Sequence, residues 1–181
     1  MTDDAERATV AAAVRRAIRD VPDFPKPGIV FKDITPVLVD ATLFVRATDA
    51  MAAPYRGSGI THVVAIESRG FILGAPVAQS LGAAFVPVRK PGKLPSRTVR
   101  EDYALEYGSD ALEMHVDALA NARGVLIVDD VLATGGTSAA TCRLVERAGG
   151  RVAACAFLLE LTALGGRAAL AGYAVDALLQ Y

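Results

Sequence analysis

The sequence is poor in the features that mark several large classes of protein. It contains only two cysteines, Cys142 and Cys155, which lack the CxxC or Cys/His spacing of a zinc site. No apolar run approaches the roughly 18 residues of a membrane-spanning helix. The first residues, MTDDAERATV, carry acids where a secretory signal carries basic residues. We therefore expect two buried thiols, no membrane association and a cytoplasmic location.

The charge of the chain is nearly balanced. Its 19 basic and 20 acidic residues leave a net charge of −1, so no overall field favours nucleic acid or an anionic membrane. A length of 181 residues with 52% hydrophobic residues is typical of one globular domain, which we expect to span residues 1–181. The common nucleotide motifs are missing too, since neither a Walker A loop nor GxGxxG occurs. Any anion site must then be local and of another kind.

The N-terminal region combines a helical pattern with a proline-rich connector. From Asp4 to Asp20 the apolar residues recur at helical spacing, which predicts an amphipathic helix. VPDFPKPG follows with three prolines within six residues, and it predicts a stiff extended connector into the short strand-like segment IVFKDI. That segment is interpreted as a flap, while on pattern alone Phe24 and Phe31 belong to the core. A second helix is predicted from Thr42 to about Ala53.

Two strand–helix–strand units follow along the chain. The first reads THVVAI, FILGAPVAQSLG and AAFVPVR, and the second reads GVLIVDD, TGGTSAATCRLVERAG and RVAACAFLLEL. This alternation predicts an α/β fold with a mostly parallel sheet and helices on both faces. Ligands of such sheets bind beyond the carboxyl ends of the strands. We therefore expect the turns ESRG and DDVLATGGTS to meet at that edge.

Between the units lies a long charged stretch, RKPGKLPSRTVREDYALEYGSD, which predicts an irregular loop. The alternating segment ALEMHV after it is interpreted as the return strand of a hairpin whose outgoing arm is YALEY. A loop of this length is either mobile surface or an active-site cover. Its cations are equally consistent with a solvated surface and with partners for an anion.

The stretch DDVLATGGTS predicts a site for a sugar phosphate. Its glycines and the start of the following helix suit a phosphate, to which Thr134, Thr137 and Ser138 can add hydroxyl donors. Asp129 and Asp130 are acceptors, and the natural uncharged partners beside a phosphate are the vicinal hydroxyls of a ribose. A capped helix N-terminus is the plainer alternative, but the two adjacent acids together with ATGGTS favour a site.

The turn ESRG alone is weak evidence for a ligand site, because a polar residue with glycine occurs in many strand-to-helix turns. On the same sheet edge as DDVLATGGTS, however, the main chain of Ser68, Arg69 and Gly70 becomes a candidate site for a diphosphate. Together the two turns indicate a ligand with phosphate at one end and diphosphate at the other.

These motifs resemble those of a known family. VLIVDDVLATGGTS is similar to the 5-phosphoribosyl 1-diphosphate signature of the type I phosphoribosyltransferases. FPKPGIVFKDITPVL, ESRGF, VRKPGKLP, LEYGSDALEMH and LLELTALGGR, in that order, resemble the adenine-specific members, over roughly Val21 to Tyr181. The resemblance implies the type I phosphoribosyltransferase fold and conversion of adenine and 5-phosphoribosyl 1-diphosphate to AMP and diphosphate, a purine-salvage step that uses Mg²⁺. It implies small-molecule substrates and a homodimer as well.

The resemblance also assigns roles to residues at matching positions. The ribose 5-phosphate would bind Asp129, Asp130, Ala133, Thr134, Gly135, Gly136 and Thr137. The diphosphate would bind Ser68, Arg69, Arg89 and Lys90, with a cis peptide between Glu67 and Ser68 and with Arg89 reaching the neighbouring subunit's diphosphate. Adenine would contact Val30, Phe31, Arg69 and Leu161, so the family overturns the core position of Phe31. Mg²⁺ would be held mainly through the substrate, with no dedicated protein ligands.

The resemblance further divides the domain into functional segments. Residues 1–35 would form the N-terminal helix and a hood over the base, and residues 89–108 a flexible catalytic loop that closes over the reacting atoms. Glu106 would be the catalytic acid/base, with Tyr107 beside it and Lys93 on the same loop. Two alternatives stay open. One is an enzyme for hypoxanthine, guanine or xanthine, and the other is a regulator that binds the same ligands without turnover, against which the intact loop argues.

Overall fold

The computed structural model describes residues 3–105 and 108–181. The helices are α1 (Asp3–Ala17), α2 (Thr35–Val39), α3 (Ala41–Ala52), α4 (Arg69–Leu81), α5 (Gly136–Arg147) and α6 (Gly166–Ala169). The strands are β1 (Arg19–Pro22), β2 (Val30–Asp33), β3 (His62–Ile66), β4 (Ala84–Val88), β5 (Thr98–Leu105), β6 (Gly108–His115), β7 (Val125–Leu132), β8 (Val152–Glu160) and β9 (Val175–Gln180). None of the described helices has the length and apolar character needed to cross a membrane.

A parallel sheet of five strands in the order β4-β3-β7-β8-β9 forms the centre of the fold. The chain leaves β3 towards β4 and leaves β7 towards β8, in opposite directions across the sheet. The carboxyl ends of β3 and β7 therefore flank the point where the strand order reverses, which is where open α/β sheets bind ligands. The predicted α/β class and parallel sheet are confirmed.

Both faces of the sheet are covered by other elements. Successive residues of a strand point to opposite sides of the sheet, so neighbouring residues belong to different cores. Val63 of β3 belongs to a core formed with α1, α3 and α4, whereas Val64 belongs to a second core formed with α5 and the β5–β6 hairpin. Cys142 of α5 and Cys155 of β8 lie in the second core as buried free thiols, as predicted. The helices α4 and α5, which follow β3 and β7, thus pack on opposite faces.

The N-terminal helix ends earlier than the sequence pattern predicted. It stops at Ala17 rather than Asp20, because Arg19–Pro22 pair antiparallel with Val30–Asp33 in a two-stranded ribbon. Val21 lies opposite Phe31 in this ribbon. The pairing links the end of the first helix to the flap segment, and a local helical pattern carries no information about it.

The hairpin predicted at the end of the charged stretch is confirmed, but its first strand is longer than predicted, and about half of the stretch is regular. Strand β5 already begins at Thr98, and it pairs with β6 along its whole length. The period-two pattern escaped notice because one inward position is a charged residue, Glu101, between the inward-facing Val99 and Tyr103. Sequence reading also missed β9, which forms the far edge of the sheet, and the short helices α2 and α6.

Candidate active site

A cleft of about 510 Å³ opens at the carboxyl ends of β3 and β7. Its floor is the end of β7 and the segment leading into α5, and its rim includes the turn between β3 and α4. Val30 and Phe31 of the flap strand β2 and residue Leu161 form an apolar part of the wall. The two turns expected to meet at this sheet edge do line one cavity.

Two adjacent carboxylates lie at the end of β7. Asp130 is buried, with 4% of its surface exposed, and its backbone N–H donates to Oδ1 of Asp129 at 2.9 Å. Burial raises the pKa of Asp129 well above its ordinary value, and the charge of Asp130 raises this pKa further. A carboxylate pair held this way accepts hydrogen bonds readily, and it discourages a bare anion at the same point.

Arg69, the first residue of α4, reaches across the cleft to this pair. Its Nε–H donates to Oδ2 of Asp130, in a salt bridge between a half-exposed guanidinium and a buried carboxylate. Burial opposes the charge of Arg69, but the hydrogen bond to Asp130 outweighs it, so the pKa of Arg69 is raised. The pair joins the turn after β3 to the end of β7.

The start of α5 is open to a ligand. Gly135 occupies the N-cap position with φ of 81°, and no side chain of the described residues accepts the N–H groups of the first turn. These N–H groups and the helix dipole favour an anion. The alternative of a helix capped by Asp or Thr is therefore not what the structure contains.

Packing as well as φ requires glycine at position 135. A Cβ built there would collide with the carbonyl oxygen of Gly166, and at Gly166 a Cβ would collide with that of Ala133. The segment after β8 thus lies directly against the segment after β7. An added Cβ on Gly136 meets nothing within 4 Å, so that position faces open space.

The turn before α4 offers a second open helix start. Ser68 is its N-cap, and within the described part of the chain the first turn receives no side-chain cap. The peptide between Glu67 and Ser68 is cis, as the family resemblance implied. A Cβ on Gly70 would lie 2.8 Å from Oδ1 of Asp129, so glycine allows α4 to approach the carboxylate pair closely.

Glu67 organises the cations around this turn, a role that sequence reading missed. Its carboxylate accepts from the backbone N–H of Lys90, from Arg89 at 3.0 and 3.1 Å, and from Lys93 at 3.4 Å. Burial raises the pKa of Glu67, but the hydrogen bonds from Lys90, Arg89 and Lys93 outweigh it, and the pKa is lowered overall. Because the cations lie more than 20 residues away along the chain, no local pattern could indicate the cluster.

The flap contributes aromatic surface to the cleft. Phe31 lines the cavity beside Val30, and Phe24 meets its ring edge-on with centroids 5.2 Å apart. The Arg69 guanidinium lies 5.7 Å from the Phe31 centroid. The core positions that pattern alone assigned are wrong for both rings, since Phe31 faces the cleft and Phe24 is 51% exposed.

The β5–β6 hairpin closes the remaining side. The Tyr103 hydroxyl lies 3.2 Å from Oδ2 of Asp110 and 3.5 Å from Oγ1 of Thr137. The ammonium of Lys90 forms a salt bridge with the same Asp110 carboxylate. The hairpin is therefore in polar contact with the segment leading into α5 and with Lys90, which follows β4.

Comparisons with known proteins identify the family of this site. A family model described as phosphoribosyl transferase domain matches residues 38–170. The adenine phosphoribosyltransferase of Myxococcus xanthus is 59% identical over 173 residues, which cover 96% of this chain and 94% of that protein. The chain belongs to the adenine phosphoribosyltransferase family.

Solved structures of the adenine phosphoribosyltransferase family have the same fold. The enzyme from Rhodothermus marinus superposes with a TM-score of 0.90 at 58% identity, covering 96% of this chain and 99% of that one. The Saccharomyces cerevisiae enzyme, crystallised with adenine and an imino-altritol bisphosphate, gives a TM-score of 0.90 at 38% identity, with 94% and 99% covered.

Most residues that the family resemblance singled out line the cleft. They are Val30, Phe31, Ser68, Arg69, Lys90, Asp129, Asp130, Ala133, Thr134, Gly135, Gly136, Thr137 and Leu161. Arg89 and Lys93 instead bind Glu67 behind the turn, and neither lines the cavity. Glu106 and Tyr107 lie outside the described residues. Among cleft residues the resemblance did not single out are Glu67 and Tyr103.

The donor set of the cleft suits a magnesium ion that arrives on a substrate. Within residues 3–105 and 108–181, no group of three or more His, Cys, Asp or Glu side chains could hold a metal by itself. Asp129 and Asp130 nevertheless line the cavity. Mg²⁺ commonly keeps several waters and binds through one or two carboxylates and the substrate's phosphates. The residues present therefore fit such an ion.

Proposed function

We propose that this chain is an adenine phosphoribosyltransferase, which transfers the 5-phosphoribosyl group of 5-phosphoribosyl 1-diphosphate to adenine and releases AMP and diphosphate. The observation that carries the proposal is the pairing of two carboxylates, Asp129 and Asp130, with an uncapped helix start at Gly135. Hydroxyls suit the carboxylates, and a phosphate suits the helix start. A ribose 5-phosphate presents both groups at once.

The other end of the substrate would occupy the turn before α4. The uncapped start of that helix at Ser68 suits the diphosphate, and Lys90 and Arg69 supply cations on the cleft wall. Arg69 has a second role, because its bond to Asp130 keeps that carboxylate oriented. Whether Arg89 contacts the neighbouring subunit's diphosphate stays a prediction.

Adenine would lie against the flap. Phe31 offers a ring face for stacking and Val30 its backbone, while Leu161 and the main chain of Arg69 border the same cavity. Aromatic stacking is worth roughly 0.5–1.5 kcal/mol beyond the buried area. Polar backbone groups would then select the 6-amino edge over the 6-oxo edge of other purines.

The chemistry requires three things of the protein. The bond from C1 of the ribose to the diphosphate breaks through an oxocarbenium-like state, N9 of adenine forms the new bond, and the N9 proton must leave. Lys90 with the open helix starts would stabilise the departing anion, the flap and hairpin would exclude water, and Glu106 would take up the proton. Bound Mg²⁺ would supply further neutralisation of the diphosphate.

We also propose that the chain acts as a homodimer through the outer face of α4 and the edge strand β4. Phe71 and Phe85 meet edge-to-face there at 5.8 Å, and Phe85 and Ile72 remain 37% and 43% exposed. An apolar patch on the edge strand of a sheet is a surface that proteins usually cover. Sedimentation should show a dimer for the wild type, a monomer for Phe85→Asp and a dimer for the control Val116→Asp. A monomeric wild type would contradict this proposal.

The cytoplasmic location stays a prediction.

A steady-state assay across purine bases tests the proposed activity. With 5-phosphoribosyl 1-diphosphate and Mg²⁺, we expect AMP from adenine and kcat/KM values at least about a hundredfold lower with hypoxanthine and guanine, since unpaired polar groups strongly disfavour the wrong base. Turnover of hypoxanthine without turnover of adenine would replace the assignment with a 6-oxopurine enzyme. Binding of both substrates without turnover would indicate a regulator.

A further inference from the structure

We propose that Glu101 is a positioning residue for the transfer reaction, fixing the hairpin that carries residues 106 and 107 onto the helix that begins at the phosphate-binding segment. The inference rests on the proposed function and goes beyond it, because Glu101 does not line the cleft. Glu101 lies in β5, on the inward face of the hairpin, and has 9% of its surface exposed.

The contact is a two-armed charge clamp between Glu101 and α5. Oε1 accepts from Nε of Arg143 at 2.7 Å, and Oε2 accepts from Nη1 of Arg147 at 2.7 Å. The two arginines are four residues apart, so they lie one turn apart on the same face of the helix. Each carboxylate oxygen therefore has its own guanidinium partner.

The surroundings of the Glu101 carboxylate favour its charged form. The hydrogen bonds from Arg143 and then Arg147 lower the pKa of Glu101, and they outweigh the opposing effect of burial. The arginine side chains are 48% and 59% exposed, so the carboxylate is the group that mainly loses its contact with water. Removing the negative charge would leave two like charges on neighbouring turns of α5 without their shared partner.

The place of the clamp in the fold gives it a consequence for the reaction. The N-terminal turn of α5 is the uncapped phosphate site, and Arg143 and Arg147 lie farther along the same rigid helix. Four residues beyond Glu101, β5 ends at Leu105, and residues 106 and 107 follow. The clamp thus ties the strand that leads to the proposed acid/base to the helix whose first turn is proposed to bind the phosphate.

The opposite strand of the hairpin has a fixed anchor of its own. Arg89 and Glu113 exchange two backbone hydrogen bonds, of 2.9 and 2.7 Å, which hold β6 to the segment after β4. On β5 the Tyr103 hydroxyl lies near Thr137 at the start of α5, and Lys90 forms a salt bridge with Asp110 of β6. Glu101 adds the charged contact farther along the helix, so β5 is held to α5 near both ends of that helix.

The test compares Glu101→Gln with a matched control on the same strand. Asp102 is the neighbouring carboxylate, and it is exposed and hydrogen-bonded only to Arg100 among the described contacts, so Asp102→Asn removes a charge without breaking a hydrogen bond to α5. We expect Glu101→Gln to lower kcat about tenfold or more, since misplacement by an ångström costs up to about a hundredfold. KM for 5-phosphoribosyl 1-diphosphate should stay within about twofold, because the phosphate site itself is intact. Asp102→Asn should keep wild-type kcat.

The arginines provide a second route that does not depend on how well Glu101→Gln folds. The double variant Arg143→Gln/Arg147→Gln changes two half-exposed side chains, and it should reproduce the loss in kcat. Adding Glu101→Gln to it should cause no further loss, as expected for residues that act as a unit.

The outcomes separate the two claims. A wild type that forms no AMP overturns the proposed function, and this inference with it. An active wild type whose Glu101→Gln and double-arginine variants keep full kcat overturns the clamp alone. An equal fall in kcat for Asp102→Asn, or an effect confined to KM, also contradicts a positioning role.

Discussion

Arg69 and Asp130 are paired across the cleft, with the guanidinium of one turn bound to the buried carboxylate of the other. The pair joins the segment proposed to bind diphosphate to the segment proposed to bind ribose. Because Asp130 is almost fully buried, an unpaired charge there would be costly. The pair therefore couples the two halves of the proposed substrate site.

Asp130→Asn is expected to weaken binding of 5-phosphoribosyl 1-diphosphate more than it slows turnover. The amide loses the charge-assisted hydrogen bond to a ribose hydroxyl, worth about 1.5–3 kcal/mol, so KM should rise roughly 10- to 100-fold. Steady-state kinetics with varied 5-phosphoribosyl 1-diphosphate measures this. Asp117→Asn, an exposed carboxylate after β6, is the control. Unchanged KM in Asp130→Asn would remove Asp130 from the ribose site.

Gly135→Ala and Gly136→Ala form a matched pair for the phosphate segment. Alanine at 135 would need φ near 81° and would collide with the Gly166 carbonyl, so we expect a loss of about 2 kcal/mol or more, or roughly 4–8 °C in Tm. Alanine at 136 meets no atom within 4 Å, so Tm should be unchanged or slightly higher. Calorimetry measures both, and equal Tm values would show that the Gly135–Gly166 contact is unimportant.

Glu67→Gln is expected to destabilise the protein in a pH-dependent way. The pKa of Glu67 is lowered from its ordinary value of 4.5 in the fold, so its contribution to the free energy of unfolding is complete above about pH 4.5 and disappears as pH falls through the folded pKa. At pH 7 we expect Glu67→Gln to lower the free energy of unfolding by about 2 kcal/mol, which corresponds to a fall in Tm of roughly 4–8 °C. The Tm difference from wild type should shrink below about pH 4.5.

The exposed carboxylate of Glu146, which accepts from the Tyr173 hydroxyl at 2.9 Å, provides the control for that experiment. Glutamine can still accept this hydrogen bond, so Glu146→Gln should remain close to the wild-type Tm. If the Tm difference between Glu67→Gln and the wild type stays constant down to about pH 3, the charge of Glu67 contributes nothing to stability.

Glu106→Gln tests the proposed acid/base. Loss of proton transfer should lower kcat by about 10²- to 10⁴-fold with a much smaller change in KM. Single-turnover measurements would separate the chemical step from product release. A variant with wild-type kcat would show that another group accepts the adenine proton.

The parts of the fold and site that depend on contiguous residues could be predicted from the sequence. The strand–helix units around β3 and β7 were predicted because their apolar runs, glycines and turns are contiguous. Their parallel order brought ESRG and DDVLATGGTS to one sheet edge, as expected from topology alone. The cleft at that edge contains the residues that the family resemblance named, apart from those noted above.

The rest depends on partners that are distant along the chain. The first part of strand β5, residues 98–102, was predicted as an irregular loop because the charge of Glu101 interrupts its apolar alternation, and the partners Arg143 and Arg147 lie more than 40 residues away. The position of Phe31 in the cleft follows from its ribbon with β1, which single-segment patterns do not contain. The side-chain bond from Arg69 to Asp130 likewise spans 61 residues, and sequence reading assigned Arg69 main-chain contacts only.

A crystal structure with AMP and diphosphate bound tests the central claim most directly. We predict the ribose hydroxyls on the carboxylates of Asp129 and Asp130, the 5′-phosphate at the first turn of α5, and the adenine ring on Phe31. Diphosphate should lie at the start of α4. A nucleotide whose phosphate lies away from the start of α5, or whose ribose does not contact the carboxylate pair, would contradict the account.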